Sequence, residues 1–166
     1  MSALEELGPA DGRRVSAVAV ALSLSASAAE APWVAAQLRE LLEDGSGVAG
    51  KEGALLTVQA LCEVAGAAAE PHVMGLLPLV LRAHSDAAAP VRTSAAWAAA
   101  ALTRALNPHG LRVVLADVMA GVEAADWRAK AAALDMTAAL ARACPVQVAS
   151  ALPKIVPVVS HQVGVV

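Results

Sequence analysis

The stretch Pro71–Leu81, PHVMGLLPLVL, decides the fold because its pattern returns twice. Residues 108–118 read PHGLRVVLADV and residues 145–155 read PVQVASALPKI, so Pro71, Pro108 and Pro145 recur every 37 residues. A proline in the first turn of a helix costs nothing there, because that N–H has no helical partner and the ring presets φ. Behind each proline the apolar residues fall at helical spacing. They are Val73, Leu76, Leu77, Val80 and Leu81 in the first unit, and Leu111, Val114, Leu115, Val118 and Val122 in the second. The third has Val148, Leu152, Ile155 and Val159. Rows at i, i+3, i+4 and i+7 bury one side of a helix.

A second, Ala-rich helix follows each of the first two units. Asp86, Pro90 and Arg92 lead into Ala95–Leu106, and Asp126, Trp127 and Arg128 lead into Ala131–Ala143. Upstream, Trp33–Asp44 and Lys51–Ala65 form a pair of the same kind, with Lys51 in the place of the two arginines. Helix pairs that recur every 36–41 residues cannot bury their apolar faces alone, so they stack. The expected class is therefore all-α, a right-handed α-solenoid of HEAT/armadillo-type helical hairpins with about three to four repeats. One domain is expected over residues 1–166, with an irregular first helix at 1–31, repeats at 32–69, 70–106 and 107–143, and an incomplete repeat at 144–166. Turns are expected at Asp44–Gly50, Ser85–Ala89 and Ala124–Ala125, and Pro78, Pro153 and Pro157 should bend first helices.

Composition agrees and excludes several function classes. Of the 166 residues, 43 are alanine, none is Phe or Tyr, and 58% are hydrophobic, too apolar for a disordered chain. A net charge of −3 gives no general attraction to phosphate backbones. Two cysteines, Cys62 and Cys144, build neither a disulfide framework nor a cysteine-rich zinc site, and they read as small hydrophobes. The longest run without Asp, Glu, Lys or Arg is Val15–Ala29, shorter than the roughly 18–20 apolar residues of a membrane span. Residues 13–29 also have features of a secretory signal, with Arg13 and Arg14 before an apolar run and Ala26-Ser27-Ala28 behind it. Glu5, Glu6 and Asp11 offset those arginines, and the helical spacing of Val15, Val18 and Leu22 favours a first helix of the fold.

Gly45–Lys51, GSGVAGK, fits both the GxGxxG and the GxxxxGK phosphate-binding patterns. Both require a strand before the loop, whereas Val34–Leu42 is helix-periodic, and Glu52 stands where a P-loop needs Ser or Thr. The stretch reads as a turn, and no cofactor is expected. His72, His84, His109 and His161 lack the i+3 or i+4 partners of a zinc site, and no serine has a His and acid arrangement for catalysis. Asp86 with Arg92, and Asp126 with Arg128, suggest a ladder of contacts between successive turns. Lys51, Arg92, Arg128 and Lys130 are the candidate partner-binding residues.

Four segments resemble a known family. They are Lys51–Cys62 (KEGALLTVQALC), Ala105–His109 (ALNPH), Trp127–Asp135 (WRAKAAALD) and Gln147–Ser160 (QVASALPKIVPVVS). Together and in this order they resemble the N-terminal HEAT region of translation elongation factor three, and are similar to the related stretch of the general-control translational activator. The resemblance covers roughly Pro32 to Ser160. It implies a cytoplasmic, ribosome-binding module of translation elongation, in a family whose longer members use ATP to help release deacylated tRNA. The ATP-binding cassettes of that family have no counterpart in this sequence, so the resemblance implies no enzyme here. The alternative is a generic α-solenoid adaptor for protein partners, without a ribosomal role. After Ser160 this sequence departs from the family pattern and reads HQVGVV. The helix after Pro145 then lacks a following helix, and self-association or aggregation through Val148, Leu152, Ile155, Val158 and Val159, or a partner that covers them, is expected.

Overall fold

The computed structural model describes residues 31–43, 47–107, 110–143 and 145–164, and among them there is no strand. The helices are α1 (Ala31–Glu43), α2 (Gly47–Ala65), α3 (Glu70–Val73), α4 (Leu77–Ala83), α5 (Ala89–Ala105), α6 (Gly110–Val122), α7 (Trp127–Ala143) and α8 (Pro145–Val163). They form two layers. First helices α1, α4, α6 and α8 stack in sequence, second helices α2, α5 and α7 stack beside them, and the layers meet as α1 on α2, α4 on α5 and α6 on α7. This is an all-α solenoid.

The core is the seam between the layers. The first helices supply Val34, Leu38, Leu77, Val80, Val114, Val118, Val148 and Ile155, and the second helices supply Leu55, Val58, Leu102, Met136 and Leu140. Each such side chain contributes roughly 1.5–3 kcal/mol when fully buried. In α5 the buried face is mostly alanine, with Ala95, Ala98, Ala99, Ala101 and Ala105. Small side chains let stacked second helices approach closely, and α2 on α5 is the most extensive pairing in the array.

Two prolines do more than bend a helix. Pro71 and Pro78 have no N–H for the carbonyls of Ala67 and Met74, the acceptors they would reach in an α-helix. The residue before each proline takes that carbonyl instead: Glu70 N–H donates to Ala67 O, and Leu77 N–H donates to Met74 O. Each proline is thus preceded by a short 3₁₀ turn, Gly66–Ala69 and Met74–Leu76. The helix expected across 71–81 is divided into α3 and α4 for this reason. By contrast, Pro153 and Pro157 lie inside a continuous α8 on its exposed side, where solvent can satisfy the freed carbonyls.

The turn expected at Asp44–Gly50 is shorter than its glycines suggest. Helix α2 already begins at Gly47, whose φ of +71° favours glycine. Taken as one run, Gly47–Ala83 is long and apolar enough by length and composition to cross a membrane. The run is broken at Gly66, where φ is +54°, and its large side chains line the seam. The first-helix and targeting readings of residues 1–30 lie outside the described residues.

A buried acid fixes one junction between units. Glu70 is 4% exposed, and its Oε2 accepts the Asn107 N–H at 3.3 Å, while Asn107 Oδ1 accepts the Gly110 N–H at 2.9 Å. The carboxylate fills the space where a β-carbon at residue 110 would stand, with its carboxyl carbon 2.8 Å from that point. Glycine at the start of α6 is therefore what admits Glu70.

Candidate protein-interaction surface

The starts of α2, α5 and α7 lie along one edge of the array, and a polar contact ties the first two. Lys51 Nζ donates to Asp86 Oδ2 at 2.8 Å, tying α2 to the turn before α5. Asp86 Oδ1 accepts the Ala88 N–H at 2.9 Å, and Arg92 Nη1 donates to the carbonyls of Asp86 and Ala87 at 2.8 and 2.7 Å. The Lys51 hydrogen bond, then the Ala88 amide, hold the Asp86 carboxyl below the ordinary 3.8, with the charges of Lys51 and Arg92 adding to them against its burial.

Asp126 caps α7. Its Oδ1 accepts the N–H groups of Arg128 at 2.7 Å and Ala129 at 3.3 Å. Its carboxyl is also held below the ordinary value, first by the Ser85 hydroxyl that faces it from the preceding turn and then by these amides. That hydroxyl oxygen is buried and closes no hydrogen bond of ordinary geometry, so the amides are the firmer partners.

A groove of about 380 Å³ runs between α5 and α7. Its floor is small, with Ala96, Ala99 and Ala100 from α5 facing Ala131, Ala132 and Ala139 from α7. Arg92, Trp127 and Arg128 stand at the end where both helices start, and Asp135 and His84 lie further along. Trp127 is 67% exposed, and the Arg128 guanidinium carbon sits 4.8 Å from the centre of its ring, a cation–π contact. Burial pushes the His84 pKa below 6.5, opposed by the Val80 and Leu81 carbonyls and the charge of Asp135.

Of the four candidate partner-binding residues, Arg92 and Arg128 line this groove, Lys51 is held by Asp86 one unit away, and Lys130 is half-buried on α7. The groove itself was not among the expectations read from the sequence. Its signal is alanine at positions such as 96, 100 and 131, which are exposed and would ordinarily carry polar side chains on a solvated helix face.

Gly47–Lys51 of the glycine-rich stretch is the first turn of α2, so the backbone there is committed to helix. Gly45 and Ser46 lie outside the described residues. Among the described residues, no three His, Cys, Asp or Glu side chains come together as metal ligands. Cys62 is buried, and its thiol is pushed up to about 12 by burial and the charge of Glu63, against the lowering effect of Arg104; Cys144 lies outside the described residues. On α8, Val148 and Ile155 are buried and Val158 and Val159 half-buried, so the apolar face expected to be bare is largely seated on α6 and α7. Among its described side chains, the exposed large apolar ones include Val146, Leu152 and Val156.

Comparison with known proteins agrees with this architecture. A family profile described as the EF3 N-terminal HEAT repeat matches residues 14–164. The protein ILITYHIA of Arabidopsis thaliana is 38% identical over 120 residues, covering 72% of this chain and 4% of that protein. The human stalled ribosome sensor GCN1 is 35% identical over 122 residues, covering 74% of this chain and 5% of its own length. Elongation factor 3 of Gonapodya prolifera is 31% identical over 113 residues, covering 67% of this chain and 10% of that protein. The chain thus spans a small part of each relative, and the matched region is a helical repeat module, not a catalytic domain. This chain belongs to the EF3 N-terminal HEAT repeat family.

Proposed function

We propose that this chain is a ribosome-binding HEAT module acting in translation elongation in the cytoplasm, with no reaction of its own. The observation that carries the reading is the family match over residues 14–164, with relatives named as a stalled ribosome sensor and as elongation factor 3. In this reading the repeats are 32–69, 70–106 and 107–143, with 1–31 and 144–166 flanking them. Lys51, Arg92, Arg128 and Lys130, near the starts of the second helices, supply positive charge for the contact.

Co-sedimentation with purified ribosomes at moderate salt tests it. The chain should pellet with ribosomes, and an Arg92→Glu/Arg128→Glu/Lys130→Glu variant that keeps its helical spectrum should pellet less. A chain that stays in the supernatant at low and moderate salt refutes the reading and leaves a protein-binding adaptor without ribosomal role.

A further inference from the structure

The groove between α5 and α7 has a composition that selects its occupant. Two stacked helices ordinarily fill their seam with side chains, yet here alanines on both walls leave about 380 Å³ open. That space suits a row of two or three aliphatic side chains. The groove is not uniform in charge. At one end lie Arg92, Arg128 and the starts of α5 and α7, where the helix dipoles add positive potential. Trp127, largely exposed and carrying Arg128 on its face, stands at the same end. Tryptophan and arginine are the residue types that dominate interface energetics.

We propose that this groove docks an amphipathic helix of a protein partner. The helix seats an aliphatic or methionine row on the alanine floor and places carboxylates against Arg92 and Arg128. Charge complementarity argues for this occupant. A nucleic acid fits less well, because the floor is apolar and Asp135 lies along it, away from the arginine end, where a continuous phosphate backbone would have to run. A second copy offering α8 fits less well, because Pro145–Val163 has Lys154 and His161 but no carboxylate. The proposal does not depend on the ribosome reading, since a chain that fails to pellet with ribosomes can still bind such a helix.

The test is selection from a display library of helix-biased peptides on the whole chain, followed by fluorescence anisotropy with the enriched peptides. The expected winners carry apolar residues at i, i+3 or i+4 and i+7 with acidic residues at one end. Trp127→Ala, Arg128→Glu and the groove-filling Ala131→Gln should each weaken binding by about tenfold or more. Lys154→Glu on α8 should leave it unchanged, and circular dichroism verifies the fold of each variant. Failure to enrich any peptide overturns the proposal. So do winners that are basic, or whose binding ignores all three groove variants. An RNA oligonucleotide that displaces the peptides and loses affinity with Arg128→Glu would reassign the groove to nucleic acid.

Discussion

Replacing Gly121 by alanine should destabilise this protein, although the same change in a solvated helix stabilises. A helix-interior Gly→Ala substitution gains about 0.8–1.0 kcal/mol in propensity, and less here because Gly121 is the penultimate residue of α6. Against that, a β-carbon at 121 would stand 2.9 Å from Ala133 Cβ on α7 and 3.4 Å from Leu81 Cδ1 on α4. Carbon pairs rest at about 3.5–4.0 Å, so α6 and α7 must separate locally by roughly 0.6 Å or more. Ala133 Cβ is fixed to its backbone and cannot rotate away. Overpacking of this kind costs about 1–3 kcal/mol, which exceeds the propensity gain. The net loss of about 0.5–2 kcal/mol corresponds to a fall in Tm of roughly 1–8 °C for a chain of this size. Thermal and urea unfolding of Gly121→Ala, Ala133→Gly and the double variant provide the measurement. The double variant should regain part of the loss, with a coupling of about 0.5–2 kcal/mol. A Gly121→Ala protein more stable than the parent, or two variants that simply add, would refute the close-approach reading.

Asp86→Asn should lower stability by about 0.5–1.5 kcal/mol near neutral pH, because the partly buried pair with Lys51 is lost while the hydrogen bond from the Ala88 amide is kept. Since the folded-state pKa of Asp86 is depressed, the gap between parent and variant in urea unfolding should be full well above pH 3.8 and close as pH falls through the lower folded value. His84 has the opposite consequence at mild acidity. With its folded pKa below 6.5, the unfolded chain takes up the proton first, so stability falls from about pH 7 toward the folded value; His84→Gln should flatten that segment of the stability–pH curve. In a Cys144→Ala background, Cys62 should react with a thiol reagent at pH 8 far more slowly in the native protein than in denaturant, since its thiol titrates at about 12. Calorimetric titration with millimolar ATP should give no saturable heat, because Lys51 is paired with Asp86 and Gly47–Lys51 is helical.

The stacking was legible in the sequence because it rests on periodicity. Val114 and Val118, or Leu77 and Val80, fall on one helical face wherever the helix ends, and the 37-residue return of proline sets their spacing. The element edges were less legible, because they depend on hydrogen bonds and not on hydrophobic pattern. Nothing in GSGVAGK distinguishes a loop from a loop that becomes helix at Gly47. Likewise, Pro71 and Pro78 seven residues apart suit either one bent helix or two short ones, and the carbonyls taken by Glu70 and Leu77 decide for two. Of the candidate surface, Arg92 and Arg128 were legible through their spacing, but the alanine-lined groove beside them was not. A gap is made by side chains that are small on both of two helices, and only the packing of α5 on α7 brings those positions together.

The magnitudes also separate what holds this array from what is free to bind. Arg39–Glu43 and Arg104–Glu63 are exposed ion pairs of 3.4 and 3.5 Å, a class that contributes about 0–1 kcal/mol each. A single seam residue such as Leu77 or Leu102, fully buried, contributes roughly 1.5–3 kcal/mol, so the apolar seam dominates stability. Within the polar edge, Lys51–Asp86 ties α2 to the turn before α5 and Asp126 caps the start of α7, while the Arg128 guanidinium lies on the face of an exposed Trp127. Removing Arg128 therefore breaks no junction between helices. That is why Arg128→Glu is the variant that separates binding from folding: it should leave the unfolding curve nearly unchanged while weakening whatever partner the edge takes.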